Sequence, residues 1–256
     1  MRPTILFLFN TSHYAPAPWI EDGRFNCVSV DYDDTDHSGA HKEPIEGHTV
    51  LNIDLSQEGA LEAVQGQLLA RKMSMPSLVL SFAPCTDMAV SGAAHFARKL
   101  EADPQCQQKA VRMARLAEKF GCAYAVENPI SILASLWRKP NHYWHPWFYA
   151  DRCPTGPHPE FPELIPEQDM YNKKSCLWTG NGFVLPKQTN MVPPLEKVNP
   201  GHRWLGGKSA RTKYIRSLTP RGFSQAVYEC NSTRILQDTM QKSVIECTLV
   251  QQLELI

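Results

Sequence analysis

The stretch Ser77–Gly92, SLVLSFAPCTDMAVSG, decides the fold. Its first six residues, Ser77–Phe82, form a largely apolar run without strict polar alternation. Such a run fits a strand covered on both faces, the kind found in parallel sheets. The run stops at Ala83-Pro84-Cys85, and small and polar residues follow. A free cysteine usually packs as a small hydrophobe. This one stands just past the end of a buried strand, behind a proline with a fixed φ, where open parallel sheets bind ligands.

The same grammar recurs on either side. TILFLF (Thr4–Phe9), FNCVSV (Phe25–Val30), TVLNID (Thr49–Asp54) and CAYAV (Cys122–Val126) read as further strands. Helical segments lie between them. APAPWIEDG (Ala15–Gly23) is opened by prolines and closed by Gly23. Glu58–Lys72 has helical periodicity. Cys106–Gly121 places Val111, Ala114, Leu116, Ala117 and Phe120 on one side, with Gly121 past its end. Ile130–Arg138 also reads as helical. Strands alternating with helices imply an α/β fold, a parallel sheet with helices on both faces.

Residues 35–47 are polar and read as a loop. The part from about 139 to 213 is rich in Pro, His and aromatics and reads as mostly loop, with Ser175–Gly180 its clearest strand. Thr219 as N-cap and Pro220 at the first helical position open a helix. Residues 238–256 alternate weakly, as a tail with some helical character. The organisation expected is therefore one domain over 1–237, with a small loop-rich C-terminal part, and a tail over 238–256.

The chain has 256 residues, with 26 basic and 26 acidic side chains. The balance argues against non-specific binding of nucleic acid by overall charge, while leaving room for a local basic groove. Eight cysteines are scattered without a CxxC pair, which argues against a disulfide framework or a zinc ribbon. The N-terminal apolar run is too short for a signal peptide, and no stretch approaches membrane-spanning length. These features lead to the expectation of a reduced, cytoplasmic protein with no membrane association.

Four polar groups fall at strand ends: Asp31, Asp54, Cys85 and Glu127. One helical crossover joins the strands before Cys85 and Glu127, so the thiol and the carboxyl should share a cleft. A thiolate is a strong nucleophile, and a carboxylic acid can protonate a substrate nitrogen as it attacks. Asn128-Pro129 stiffens the chain beside the glutamate. His142 and His145 lack a cysteine or carboxylate at ligand spacing and read as aromatic packing, so no metal is expected. Arg203, Lys208, Arg211, Lys213 and Arg216 interleave with aromatics, as a track for a DNA backbone or as a solvated loop. Gly206–Ser209 lacks the earlier glycine of a phosphate loop. Met240, Val244, Ile245 and Leu249 read as a stripe packed on its own domain.

FAPCTDMAVSG, AYAVENP, YNKKSCLW and RSLTPRGFSQAV, in that order, resemble the motif series of cytosine-C5 DNA methyltransferases, especially the small phage and prophage type. The resemblance covers about residues 4–230, and Pro84-Cys85 and Glu127-Asn128 are its most specific parts. It implies a Rossmann-like sheet that uses S-adenosylmethionine, acting on a flipped or single-stranded cytosine in DNA. It also implies that Cys85 attacks C6, Glu127 holds N3 and the exocyclic amine, Asn128 supports the loop and Lys174 contacts the base. On the cofactor side, Phe9 would stack on the adenine, Asp31 would bind the ribose, Asp54 would approach the adenine amine, and Pro84 and Thr219 would lie near the cofactor.

Four features depart from the family pattern. The first motif, FNTSHYAPAP, has no glycine; the cysteine loop reads Ala83-Pro84-Cys85 where two prolines are usual; lysines 173 and 174 stand where arginines are usual; and only Pro186–Lys213 is left for target recognition. Two alternatives follow. One is C5 modification of a free nucleotide, or transfer of a different group. The other is a degenerate methyltransferase that binds DNA or a host protein without chemistry.

Overall fold

A computed structural model describes residues 2–10, 12–32, 46–196 and 209–253, the last eight without their side chains. Seven strands form one sheet: β1 (Thr4–Leu8), β2 (Asn26–Asp31), β3 (His48–Asn52), β4 (Pro76–Ser81), β5 (Ala123–Pro129), β6 (His142–Trp144) and β7 (Ser175–Gly180). Their order is β3-β2-β1-β4-β5-β7-β6. The first five are mutually parallel, and β7 runs antiparallel to both β5 and β6. The order 3-2-1-4-5 is that of a doubly wound sheet, whose ligand crevice opens where the order reverses, between β1 and β4.

The helices are α1 (Ala17–Asp22), α2 (Ala60–Ala70), α3 (Phe96–Ala102), α4 (Cys106–Ala114), α5 (Leu133–Leu136), α6 (Ala210–Ser217) and α7 (Arg221–Leu253). Alternate residues of each strand feed opposite faces. Leu6 and Leu8 of β1 join Val28, Val30, Val79 and Val126 beneath α2 and α4. Ile5 and Phe7 join Cys27, Leu78 and Leu80 against Trp19 of α1 and Phe223, Ala226 and Val227 of α7. All five residues of β1 are buried. Each large apolar side chain so buried contributes about 1.5–3 kcal/mol of transfer free energy, which is why this strand reads as an unbroken apolar run.

Several expectations need correction. The helix expected over Cys106–Gly121 is α-helical only to Ala114; Arg115–Phe120 tightens to a 3-10 helix before Gly121 closes it at φ 75°. The segment Ile130–Arg138 holds only the one-turn α5. The tail has the helical character expected of it as far as Leu253, and the helix begins earlier, since α7 runs unbroken from Arg221 past 238. Met240, Val244 and Ile245 are exposed there and do not pack on the body as a stripe. Thr219 Oγ1 is buried without a hydrogen-bond partner, so it is not the side-chain cap of α7. Arg221 N–H donates instead to Asp169 Oδ2. Most of the 35–47 loop, Arg203, Lys208, Gly206-Gly207 and the Leu249 side chain lie outside the described residues.

Candidate active site

β4 and β5 are neighbours, with Ser81 opposite Val126, so the chain past both strands leaves the sheet at one level. Cys85 follows β4 on a tight turn in which Met88 N–H and Ala89 N–H both donate to the Cys85 carbonyl, at 3.0 and 2.8 Å. That turn is laced to the segment after β5. Val90 N–H donates to the Ile130 carbonyl and Ile132 N–H to the Met88 carbonyl, each at 3.0 Å. Asn128, fully buried, donates from Nδ2 to the Ala83 carbonyl at 2.8 Å. The cysteine turn and the glutamate strand are thus one hydrogen-bonded unit, with Asn128 one of its links.

Glu127 is half-buried, and its Oε1 has no hydrogen-bond partner. The nearest cation is Lys173, whose Nζ stands 4.0 Å away and also donates to the Arg216 carbonyl at 3.5 Å. Lys174, the basic residue chosen from sequence, lies elsewhere. Its ammonium sits 5.1 Å from the centroid of the exposed Tyr143 ring of β6, the strand that pairs with β7. The two neighbouring lysines thus carry their ammonium groups to different partners.

Cys85 is partly buried. Burial, and next the charge of Glu127, raise its thiol above the ordinary range; Lys173 and Lys99 pull the other way. Lys99, on α3, is held by Asp87 at 2.9 Å and by the Thr86 carbonyl. Burial and a neighbouring carboxylate hold the sulfur in its thiol form, so a nucleophilic Cys85 requires that its proton be taken as it attacks, with Lys173 and Lys99 partly offsetting the cost.

Of the residues the resemblance assigns to a cofactor, Phe9 follows β1, Asp31 ends β2, Asp54 follows β3, Pro84 follows β4 and Thr219 precedes α7. Leu8 pairs with Val30, so Phe9 and Asp31 leave the sheet side by side. Phe9 takes a left-handed backbone, φ 56°, a conformation rare for a bulky residue, and its N–H donates to the Val30 carbonyl at 2.7 Å. The loop beyond has no glycine, and the buried Asn10 supports its turn. Asn10 Nδ2 donates to the Ser12 carbonyl at 2.7 Å and to Ser29 Oγ at 3.1 Å. Asp31 Oδ1 accepts the Tyr32 N–H at 2.8 Å. Asp54 is engaged within its own turn: Oδ1 accepts from Ser56 N–H and Oγ, and Oδ2 from Gln57. These bonds, led by that from the Ser56 hydroxyl, lower its pKa. Pro84 is exposed at the mouth of the cysteine turn, and Thr219 is buried.

The loop-rich part covers this end of the sheet. Tyr14, from the loop after β1, packs with Phe161, Ile165, Tyr171, Ile215 and Leu218. Its hydroxyl donates to Glu160 at 2.6 Å. Arg211, Lys213 and Arg216 are exposed on α6, and Ser209 caps that helix by accepting the Thr212 N–H. His145 lies among aromatic rings, 5.5 Å from Phe148 and 6.1 Å from Trp147. Among the described residues, no three His, Cys, Asp or Glu side chains cluster as metal ligands. Among them, too, no helix is long and apolar enough to cross a membrane.

No family model and no curated protein matches the chain. Among solved structures, it is similar to one described as the carbonyl reductase Sniffer of Caenorhabditis elegans, at 12% identity and a TM-score of 0.34, over 47% of this chain and 54% of that one. It is also similar to the MycE methyltransferase of the mycinamycin biosynthetic pathway, solved with Mg and SAH, at 12% identity and a TM-score of 0.29, over 86% of this chain and 48% of that one. The chain thus spans about half the length of each.

Proposed function

We propose that the protein is a cytosine-C5 methyltransferase acting on DNA. The observation that carries the reading is the position of Cys85, on a turn just past β4 braced by Asn128, next to the carboxyl-end part of the adjacent parallel strand β5 that carries Glu127, with Lys173 beside Glu127. In this scheme the Cys85 thiol passes its proton to Glu127 as its sulfur forms a bond to C6 of cytosine. The displaced electron pair moves toward C5 as Glu127 passes the proton on to N3. Lys173 offsets negative charge on Glu127 and on O2 of the ring. After the methyl group is in place, water takes the C5 proton, N3 returns its proton to Glu127, and the Cys85–C6 bond breaks with its electron pair on sulfur.

S-adenosylmethionine, when bound, supplies the methyl group as an electrophile. The residues fit its nucleoside end. Phe9 offers a ring and Asp31 a carboxylate at adjacent strand ends, the arrangement that holds a ribose and its base in doubly wound sheets. Asp54 is bound within its turn and contributes less directly. The base is inaccessible inside a duplex and is taken flipped or from a single strand. Arg211, Lys213 and Arg216 on α6 supply a basic edge for the phosphates.

The test is mass spectrometry of nucleosides from the DNA of a host without cytosine methylation, expressing either the protein or Cys85→Ser. 5-Methylcytosine with the first and not the second is expected. A different modified cytosine would keep the covalent step and replace the donor. No modified base in DNA, with adduct formation on a free nucleotide, would move the substrate to the nucleotide pool.

A further inference from the structure

Two consecutive non-glycine residues, Gln168 and Asp169, take left-handed backbone angles, φ 57° and 52°. Such a backbone persists where its surroundings hold it, and here the holder is visible. Asp169 is 1% exposed and Arg221 8%. Asp169 Oδ2 accepts the Arg221 backbone N–H at 2.5 Å, and Oδ1 accepts Nε at 3.2 Å and Nη2 at 2.9 Å. One carboxylate therefore caps the first turn of α7 and grips a guanidinium. Stability alone does not call for this, since apolar residues of the same volume serve a core as well or better than a buried ion pair.

The two partners lie on the two segments that place Lys173. Asp169 is four residues before it, with the buried Tyr171 between. Arg221 is five residues after Arg216, whose carbonyl accepts from Lys173 Nζ. We propose that the Asp169–Arg221 pair is a positioning brace that holds Lys173 against Glu127, and thereby sets the charge beside Cys85 from outside the site. Its catalytic meaning rests on the methyltransferase reading; its physical content does not.

Three charged groups act on Cys85: Glu127 from β5, Lys173 from the segment before β7, and Lys99 from α3. Lys99 is tied locally to Asp87 and Thr86, so the brace should act through Lys173 alone. The test uses the full chain without substrate. The pH dependence of Cys85 alkylation by iodoacetamide, read on its own peptide by mass spectrometry, is compared in wild type, Asp169→Asn, Lys173→Met and the double variant.

Lys173→Met should move the alkylation midpoint upward, slowing the reaction roughly three- to tenfold at a fixed pH below it, as loss of a cation near a thiol does. Asp169→Asn should reproduce most of that shift, and the double variant should exceed neither single by more than error. If Asp169→Asn does not fold, Arg221→Lys, which keeps the charge and loses the fork, takes its place. A wild-type profile in the brace variant, additive shifts in the double, or no shift in Lys173→Met would each overturn the proposal. Nucleoside analysis judges the methyltransferase reading separately, so either can fail while the other stands.

Discussion

Lys173 Nζ stands 4.0 Å from Glu127 Oε1, while its neighbour Lys174 turns away to the ring of Tyr143. This difference in direction separates two side chains that composition cannot tell apart. Lys173→Met should lower methyl transfer by about a hundredfold, the scale on which a preorganised charge at a reacting centre acts. Lys174→Met should stay within about threefold, mostly through weaker phosphate binding. Single-turnover rates with each variant check this; equal losses would mean that Lys173 is not the cation of the site.

Asn128 is the strut between the two reacting residues, and its bond to the Ala83 carbonyl has no substitute nearby. Asn128→Ala leaves that buried carbonyl unpaired, which costs about 1–3 kcal/mol. It also frees the cysteine turn. Urea unfolding should show a lower midpoint with an unchanged slope. Asn128→Asp should be worse than Asn128→Ala, because it presents a second carboxylate beside Glu127.

Much of this fold was legible because a strand buried on both faces reads as a continuous apolar run. Thr4–Leu8, Asn26–Asp31, Pro76–Ser81 and Ser175–Gly180 were found that way, within a residue or two. Strand β6 was missed: three residues of mixed polarity at a sheet edge leave no run. Helix α3 and the 3-10 turn before it were missed because neither contains a buried residue, so no periodic apolar face exists to be read. Cys85 follows β4 as the apolar run indicates, whereas Glu127 and Asn128, read as lying past a strand that ends at Val126, belong to β5 itself, paired with Leu177 and Cys176 of β7. The choice between Lys173 and Lys174 was not legible, because the two are chemically alike and only the folded chain shows which ammonium faces Glu127. Asp169 and Arg221 are 52 residues apart, and only the folded chain joins them.

Gly222 follows Arg221 in the first turn of α7, where the helix crosses the segment Pro146–Arg152. A Cβ there would stand 2.1 Å from the Tyr149 carbonyl oxygen and 3.3 Å from the Cys153 nitrogen. Both are backbone atoms, so neither can step aside as a side chain would. Gly222→Ala, ordinarily favourable in a helix by about 1 kcal/mol, should here destabilise by more than about 3 kcal/mol. Gly66→Ala in α2, where nothing lies within 4 Å, should instead stabilise by a few tenths to about 1 kcal/mol. Thermal unfolding of the two variants should move in opposite directions.

Buried thiols give the protein a characteristic alkaline limit. Burial, then the nearby Asp22, push the Cys27 thiol up to about 12, and burial, then Glu127, push Cys176 to about 11. In the unfolded chain both titrate near 8.5. A group whose folded value is raised contributes stability that is full below the unfolded value and lost as pH rises toward the folded one. Between pH 9 and 10 both thiols are protonated in the folded state and ionised in the unfolded state. Each should therefore remove about 1.4 kcal/mol of stability per pH unit. Cys27→Ala should be less stable than wild type at pH 7.5, through the cavity it leaves, yet lose stability less steeply over that window. Urea denaturation at pH 7.5, 9 and 10 measures both slopes; parallel slopes would mean that Cys27 ionises as readily in the folded protein as in the unfolded one.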